Sequence, residues 1–190
     1  MAWGPFDRAT FSSLFIELES IYPDIANITV KGANELLEKI LVPLDGSEHS
    51  LKALNIAIQI AKKFKGKLTL IHVYSVTVVP VMMPEPGTLT GPGVPMMSSA
   101  EISKIADSAR DAGNRVLSDG EVKAKAEGVE VEKVLVEGHV VHEIVRTATG
   151  GKFDLVVIGA RGRSKIRELL LGSVTDGVIH HGSEPVLVVK

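Results

Sequence analysis

From residue 39 onward, short apolar runs alternate with longer segments whose apolar residues recur at helical spacing. Residues 39–44 (KILVPL), 67–73 (KLTLIHV), 129–136, 154–158 (DLVVI) and 185–189 (PVLVV) are short, aliphatic and rich in β-branched residues, as expected of buried strands. Between the first two, residues 48–64 set Leu51, Leu54, Ile58 and Ala61 on one helical stripe behind Ser47 as N-cap. Residues 98–127 predict a long helix, with Ser98 and Glu101 at capping-box spacing. Residues 140–148 predict a helix ended by Gly150-Gly151, and 173–181 a shorter one. Strands that alternate with helices imply an α/β fold, its parallel strands joined by right-handed crossovers that cover both sheet faces.

Two segments break this pattern. Residues 75–97 hold five of the nine prolines, four of the five methionines and one charge, Glu85, so a long flexible loop is expected there. Residues 1–38 form an extension in which Phe11, Leu14, Phe15, Leu18, Ile21 and Tyr22 share one helical face. The charges beside that stripe are net acidic, which favours packing on protein over an anionic membrane surface. The expected organisation is therefore an N-terminal helical extension over 1–38 and one domain over 39–190.

Composition narrows the classes. The 190 residues carry 21 Lys+Arg against 23 Asp+Glu, without the basic surplus of a nucleic-acid binder. The absence of cysteine removes disulfides and thiolate metal sites. No apolar run approaches the roughly 20 residues of a membrane span, and the N-terminus lacks the basic start of a signal peptide, so a cytoplasmic location is expected.

The candidate chemistry lies in residues 159–173, GARGRSKIRELLLGS, directly after the strand DLVVI. Gly159 and Gly162, followed after nine residues by Gly172-Ser173 at a helix start, give the spacing G-x2-G-x9-G-S. Glycines let backbone N–H groups approach anionic oxygens, and a helix N-terminus adds free donors and positive dipole. Ser173 and Thr175 add hydroxyls, and Arg161 and Arg163 stand as phosphate neighbours. A tight turn with glycine caps is the competing reading. The loop is neither a Walker A loop nor the G-x-G-x-x-G dinucleotide fingerprint. Asp45 follows the first strand directly. In open α/β sheets ligands bind beyond the carboxyl ends where strand order reverses, so Asp45 is a candidate for a ribose hydroxyl or a divalent cation. The competing reading is that Asp45 or Ser47 simply caps the next helix.

The combination of VPLDGS, KLTLIHV, DLVVIGARGRS, the second GS and the terminal PVLVVK resembles the universal stress protein family over residues 39–190. The resemblance implies a flavodoxin-like (Rossmann-like) α/β sandwich with five parallel strands in the order 3-2-1-4-5. It implies ATP, with Mg2+ or Mn2+, in the crevice: Pro43, Asp45 and Val73 around adenosine, phosphates along Gly159, Gly162, Gly172, Ser173 and Thr175, and Ile158 and Val174 lining the pocket. Many members carry Ser or Thr at the position of Ala160, so one hydroxyl donor is missing here. The family often dimerises through its last strand, here residues 185–190, which makes a homodimer or higher homo-oligomer the expected assembly.

Catalytic signals are weak. Ser47, Ser164 and Ser173 lack a nucleophile-elbow context, and no carboxylate pair is set at a reaction centre. His139 with His142, and His180 with His181, lack the H-E-x-x-H spacing of a zinc site. His72, which ends the second strand, reads as structural. The expected function is an adenine-nucleotide-responsive binding module with a protein partner. A slow ATPase or other nucleotide-processing enzyme, and a nucleotide-free structural dimer, are the alternatives.

Overall fold

A computed structural model describes residues 37–75, 98–163 and 171–190. The helical stripe of the N-terminal extension, nearly all of the Pro/Met-rich segment, and Ser164 with the rest of the basic loop stretch through Lys165 and Arg167 lie outside the described residues. Among the described residues, five strands and four helices alternate: β1 (Lys39–Pro43), α1 (Glu48–Phe64), β2 (Lys67–Tyr74), α2 (Ser99–Ala126), β3 (Val131–Glu137), α3 (Val140–Gly151), β4 (Leu155–Gly159), α4 (Ser173–His181) and β5 (Val186–Val189). All strand pairs are parallel and the order is β3-β2-β1-β4-β5, as the resemblance implies.

Strand alternation divides the core in two. Ile40, Val42, Leu68, Leu70 and Val157 pack with Ala53, Leu54, Ala57 and Ile58 of α1 and Leu117 and Ala124 of α2. Leu41, Ile71, Val156 and Ile158 point to the other face, against Ile144 and Ala148 of α3 and Val178 of α4. Consecutive residues serving opposite faces explain why these strands read as continuous apolar runs.

The expected caps form. Ser47 accepts from the Ser50 N–H at 3.2 Å, and Ser98 and Glu101 close a capping box at the head of α2. Two local expectations are corrected. Leu54, Ile58 and Ala61 are buried as expected, but Leu51 is 39% exposed at the edge of the stripe, and α1 buries Ser50, Ala53 and Ala57 in addition. Its small residues let the helix lie close on the sheet. Gly150-Gly151 are the last two residues of α3, as expected, but the left-handed cap conformation falls one residue later, on Lys152 at φ 52. Packing accounts for Gly151, where a Cβ would sit 2.4 Å from the Phe153 ring.

Candidate functional site

A crevice opens where β1 and β4 part. The two strands pair only through Ile40–Leu41 and Leu155–Val156. Leu44 N–H donates to Ile71 C=O, so even-numbered residues of β1 face β2 and odd-numbered ones face β4. Pro43 falls on the β4 side with no N–H to carry the ladder on. Beyond it a cavity of about 270 Å³ reaches from the ends of β1, β2 and β4 to the first turns of α3 and α4.

All twelve residues singled out in the sequence line this cavity: Pro43, Asp45, Val73, Ile158, Gly159, Arg161, Gly162, Arg163, Gly172, Ser173, Val174 and Thr175. Leu44, Ser50, Ile71, Val140 and Ile144 line it as well and were not anticipated. Val140 and Ile144 are the instructive omissions. They come from α3, far along the chain, and the β2–β3 pairing together with the packing of α3 on the sheet and on α4 brings them in. Their i, i+4 spacing at a helix start was the available signal.

The two sides of the cavity differ in chemistry. One is apolar: Ile71, Val73, Val140, Ile144, Ile158 and Val174. The other presents Asp45, Arg161, Gly162, Arg163, Gly172 and Ser173. The N-terminal turns of α1, α3 and α4 all reach the cavity, through Ser50, Val140 and Ser173. Their dipoles and the two guanidinium groups outweigh the single carboxylate, so the polar side favours an anion.

Asp45 is half-buried and its Oδ1 accepts the Ser47 N–H at 2.9 Å. Burial raises its pKa. The Ser47 hydroxyl and N–H, the Ser50 hydroxyl and the Arg163 charge together outweigh burial and hold the carboxyl below its ordinary value. A depressed folded-state pKa adds stability above the unfolded value, about 4, which is lost as pH falls through the lower folded value. The unfolding free energies of wild type and Asp45→Asn are therefore expected to differ by a constant amount near neutrality and to converge below about pH 4. A gap that stays open to about pH 2 would contradict this account.

Two hydroxyls are committed within the protein. Thr175 Oγ1 donates to Gly159 C=O at 2.8 Å and the residue is 2% exposed, so it ties α4 to the end of β4 and its proton is not available to a ligand, contrary to the expectation of a phosphate donor. Ser47 caps α1 and its hydroxyl lies 3.4 Å from Arg161 C=O. Ser173 is exposed at the α4 start and keeps the expected position for a donor. Gly46, at φ 79, takes the left-handed turn after Asp45, and a Cβ there would lie 3.2 Å from Arg163 Nη2. His72 is structural: its Nδ1 lies 2.6 Å from Leu44 C=O, and it is not a cavity residue. Among the described residues no group of three or more His, Cys, Asp or Glu is placed to hold a metal ion, and no helix is long and apolar enough to cross a membrane.

These features define a doubly wound α/β protein with an open crevice at the point where strand order reverses. Residues 37–190 match the model of the universal stress protein family, and the chain belongs to that family. It is 33% identical to Universal stress protein YxiE of Bacillus subtilis, over 82% of this chain and 100% of that one. It is 35% identical to Universal stress protein MJ0531 of Methanocaldococcus jannaschii, over 87% and 89%. A universal stress protein solved in complex with cAMP is similar to it with 30% identity and a TM-score of 0.57, over 82% of this chain and 99% of that one.

Proposed function

We propose that this protein is an adenine-nucleotide-binding module of the stress response, with ATP as its working ligand. The observation that carries this reading is the two-sided cavity. Its apolar side suits a purine, and its polar side offers glycine backbone, arginine and helix N-termini to phosphate. The cAMP complex of a relative 30% identical to this chain supports the same ligand class. Gly172 adds a specific argument. At φ −78 and ψ 157 any residue fits, and a Cβ there meets nothing nearer than 3.4 Å. Neither backbone nor packing asks for glycine at this position, whereas a phosphate drawn against the backbone does.

A divalent cation fits the site in company with polyphosphate. Asp45 is the one carboxylate among the described cavity residues, and Mg2+ is commonly held by one or two carboxylates plus phosphate oxygens and water. Asp45 would hold Mg2+ or Mn2+, and the cation would neutralise phosphate charge. We extend the proposal to self-association at β5, the outer strand of the sheet, where Leu187 is 36% exposed. Protein partners would then read the occupied crevice on a homodimer.

The test is to denature the purified protein, identify released small molecules by mass spectrometry, and titrate the emptied protein with ATP, AMP and cAMP, with and without Mg2+. Stoichiometric adenine nucleotide with Mg2+-assisted ATP binding is the expected result. A protein that releases none and binds none of the three would overturn the reading. Tighter binding of AMP or cAMP would keep the crevice and transfer the working ligand to a monophosphate.

A further inference from the structure

The ladder between β1 and β2 stops one rung early, at a carbonyl that a side chain meets. Lys67 N–H donates to Glu38 C=O, and Ile71 C=O accepts from Leu44 N–H, so odd-numbered residues of β2 face β1. The next rung would take Val73 N–H to Leu44 C=O. That bond is not formed. Leu44 C=O instead receives His72 Nδ1 at 2.6 Å, and since a carbonyl only accepts, Nδ1 carries the proton. Beyond Leu44 the chain turns away through Asp45 and Gly46. Among the described residues, the Val73 N–H and C=O on that side have no hydrogen-bond partner, and Val73 lines the cavity.

The imidazole reaches this carbonyl from the other face of the sheet, where it lies against α2. Gly113 makes room for it: a Cβ there would sit 2.6 Å from His72 Cδ2. His72 is therefore held on the carbonyl by the packing of α2, without touching the cavity itself.

We propose that His72 is a positioning residue that sets base selectivity: by capping Leu44 C=O it keeps the Val73 N–H and C=O unpaired, as an adjacent donor and acceptor at the cavity. This rests on the nucleotide reading above and deepens it. Adenine presents an acceptor, N1, beside a donor, its 6-amino group, and so matches that pair. Hypoxanthine presents a donor at N1 and an acceptor at O6, the reverse order, so inosine monophosphate is rejected. A site built to hydrogen-bond one edge discriminates because the wrong edge leaves its polar groups unmatched.

The experiment uses the full chain, with AMP and IMP as probes. Wild type is expected to prefer AMP by about tenfold or more. In His72→Leu, Leu44 C=O loses its donor, Val73 N–H takes its place, and the AMP/IMP ratio falls to near one. Asparagine places an N–H donor close to the Nδ1 position, so His72→Asn is expected to keep the ratio. Gly113→Ala, which crowds the ring off the carbonyl, is expected to lose it. A change in overall stability alone would not move this ratio. Amide hydrogen exchange supplies a second readout that needs no variant. Val73 N–H should exchange faster than Ile71 N–H in the free protein and become protected by AMP. Protection of Val73 N–H in the free wild type, or an unchanged ratio in a folded His72→Leu, would overturn the proposal. Failure of wild type to bind either nucleotide would overturn the nucleotide reading itself, while exchange at Val73 would still report whether the ladder ends where His72 caps it.

Discussion

Gly159→Ala is expected to destabilise the protein by about 3 kcal/mol and to lower its Tm by roughly 10 °C. Gly159 is the last residue of β4, and the first turn of α1 crosses directly above it. A Cβ on Gly159 would lie 2.6 Å from the His49 carbonyl carbon, 2.8 Å from its oxygen and 2.8 Å from Ser50 N. All three are backbone atoms of a helix held by its Ser47 cap and by Ala53, Leu54 and Ala57 in the core, so no side chain can swing aside to relieve the contact. The helix must lift, and the Ser50 and Asp45 ends of the crevice move with it. Thermal and chemical unfolding of the variant measure the effect. A Tm within about 2 °C of wild type would show that α1 yields freely and that the close approach does not hold the crevice together.

The same residue shows what the sequence made legible. Gly159 was read as a glycine freed for ligand approach, and it does line the cavity, but its lack of a Cβ is already required by α1. Spacing along the chain cannot separate these two causes, because the neighbour comes from more than a hundred residues away. Local features carried further. The β-branched runs marked all five strands because each must serve both core faces, and Ser47 and Ser98 announced their helices through bonds made within one turn. Helix faces were less legible. The stripe of α1 held at Leu54, Ile58 and Ala61 but misplaced its edge at Leu51, because Ala53 and Ala57 bury as completely as leucine while weighing less in an apolar pattern. Strand order came from the resemblance alone, since periodicity says that strands are parallel but not which are neighbours. Without that order nothing connects Val140 or Ile144 to Asp45. Thr175 erred for another reason: a hydroxyl at a helix start has several acceptors within reach, and the nearest proved to be Gly159 C=O.

Gly172→Ala separates binding from folding in the opposite sense. The residue sits at the N-cap of α4 with an extended backbone, and its own N–H is spent on Ala160 C=O at 2.8 Å. A methyl group there would find Arg161 Cα at 3.4 Å and Ala160 O at 3.6 Å, ordinary contact distances. Stability should stay within about 1 kcal/mol of wild type, since the new side chain fits and the cap loses no side-chain bond. The methyl group would nevertheless occupy space beside the Gly162 N–H and the α4 N-terminus, where the proposed phosphates would be received. Losing charge-assisted contacts of this kind costs about 2–3 kcal/mol, or about a hundredfold in Kd for ATP. Calorimetric titration beside a melting curve reads both quantities on one preparation. If Gly172→Ala binds ATP as tightly as wild type, phosphate does not lie against this backbone, and the glycine would have to be explained by a turn that the dihedral angles do not require. If it binds about a hundredfold more weakly at unchanged Tm, the glycine serves the ligand and not the fold.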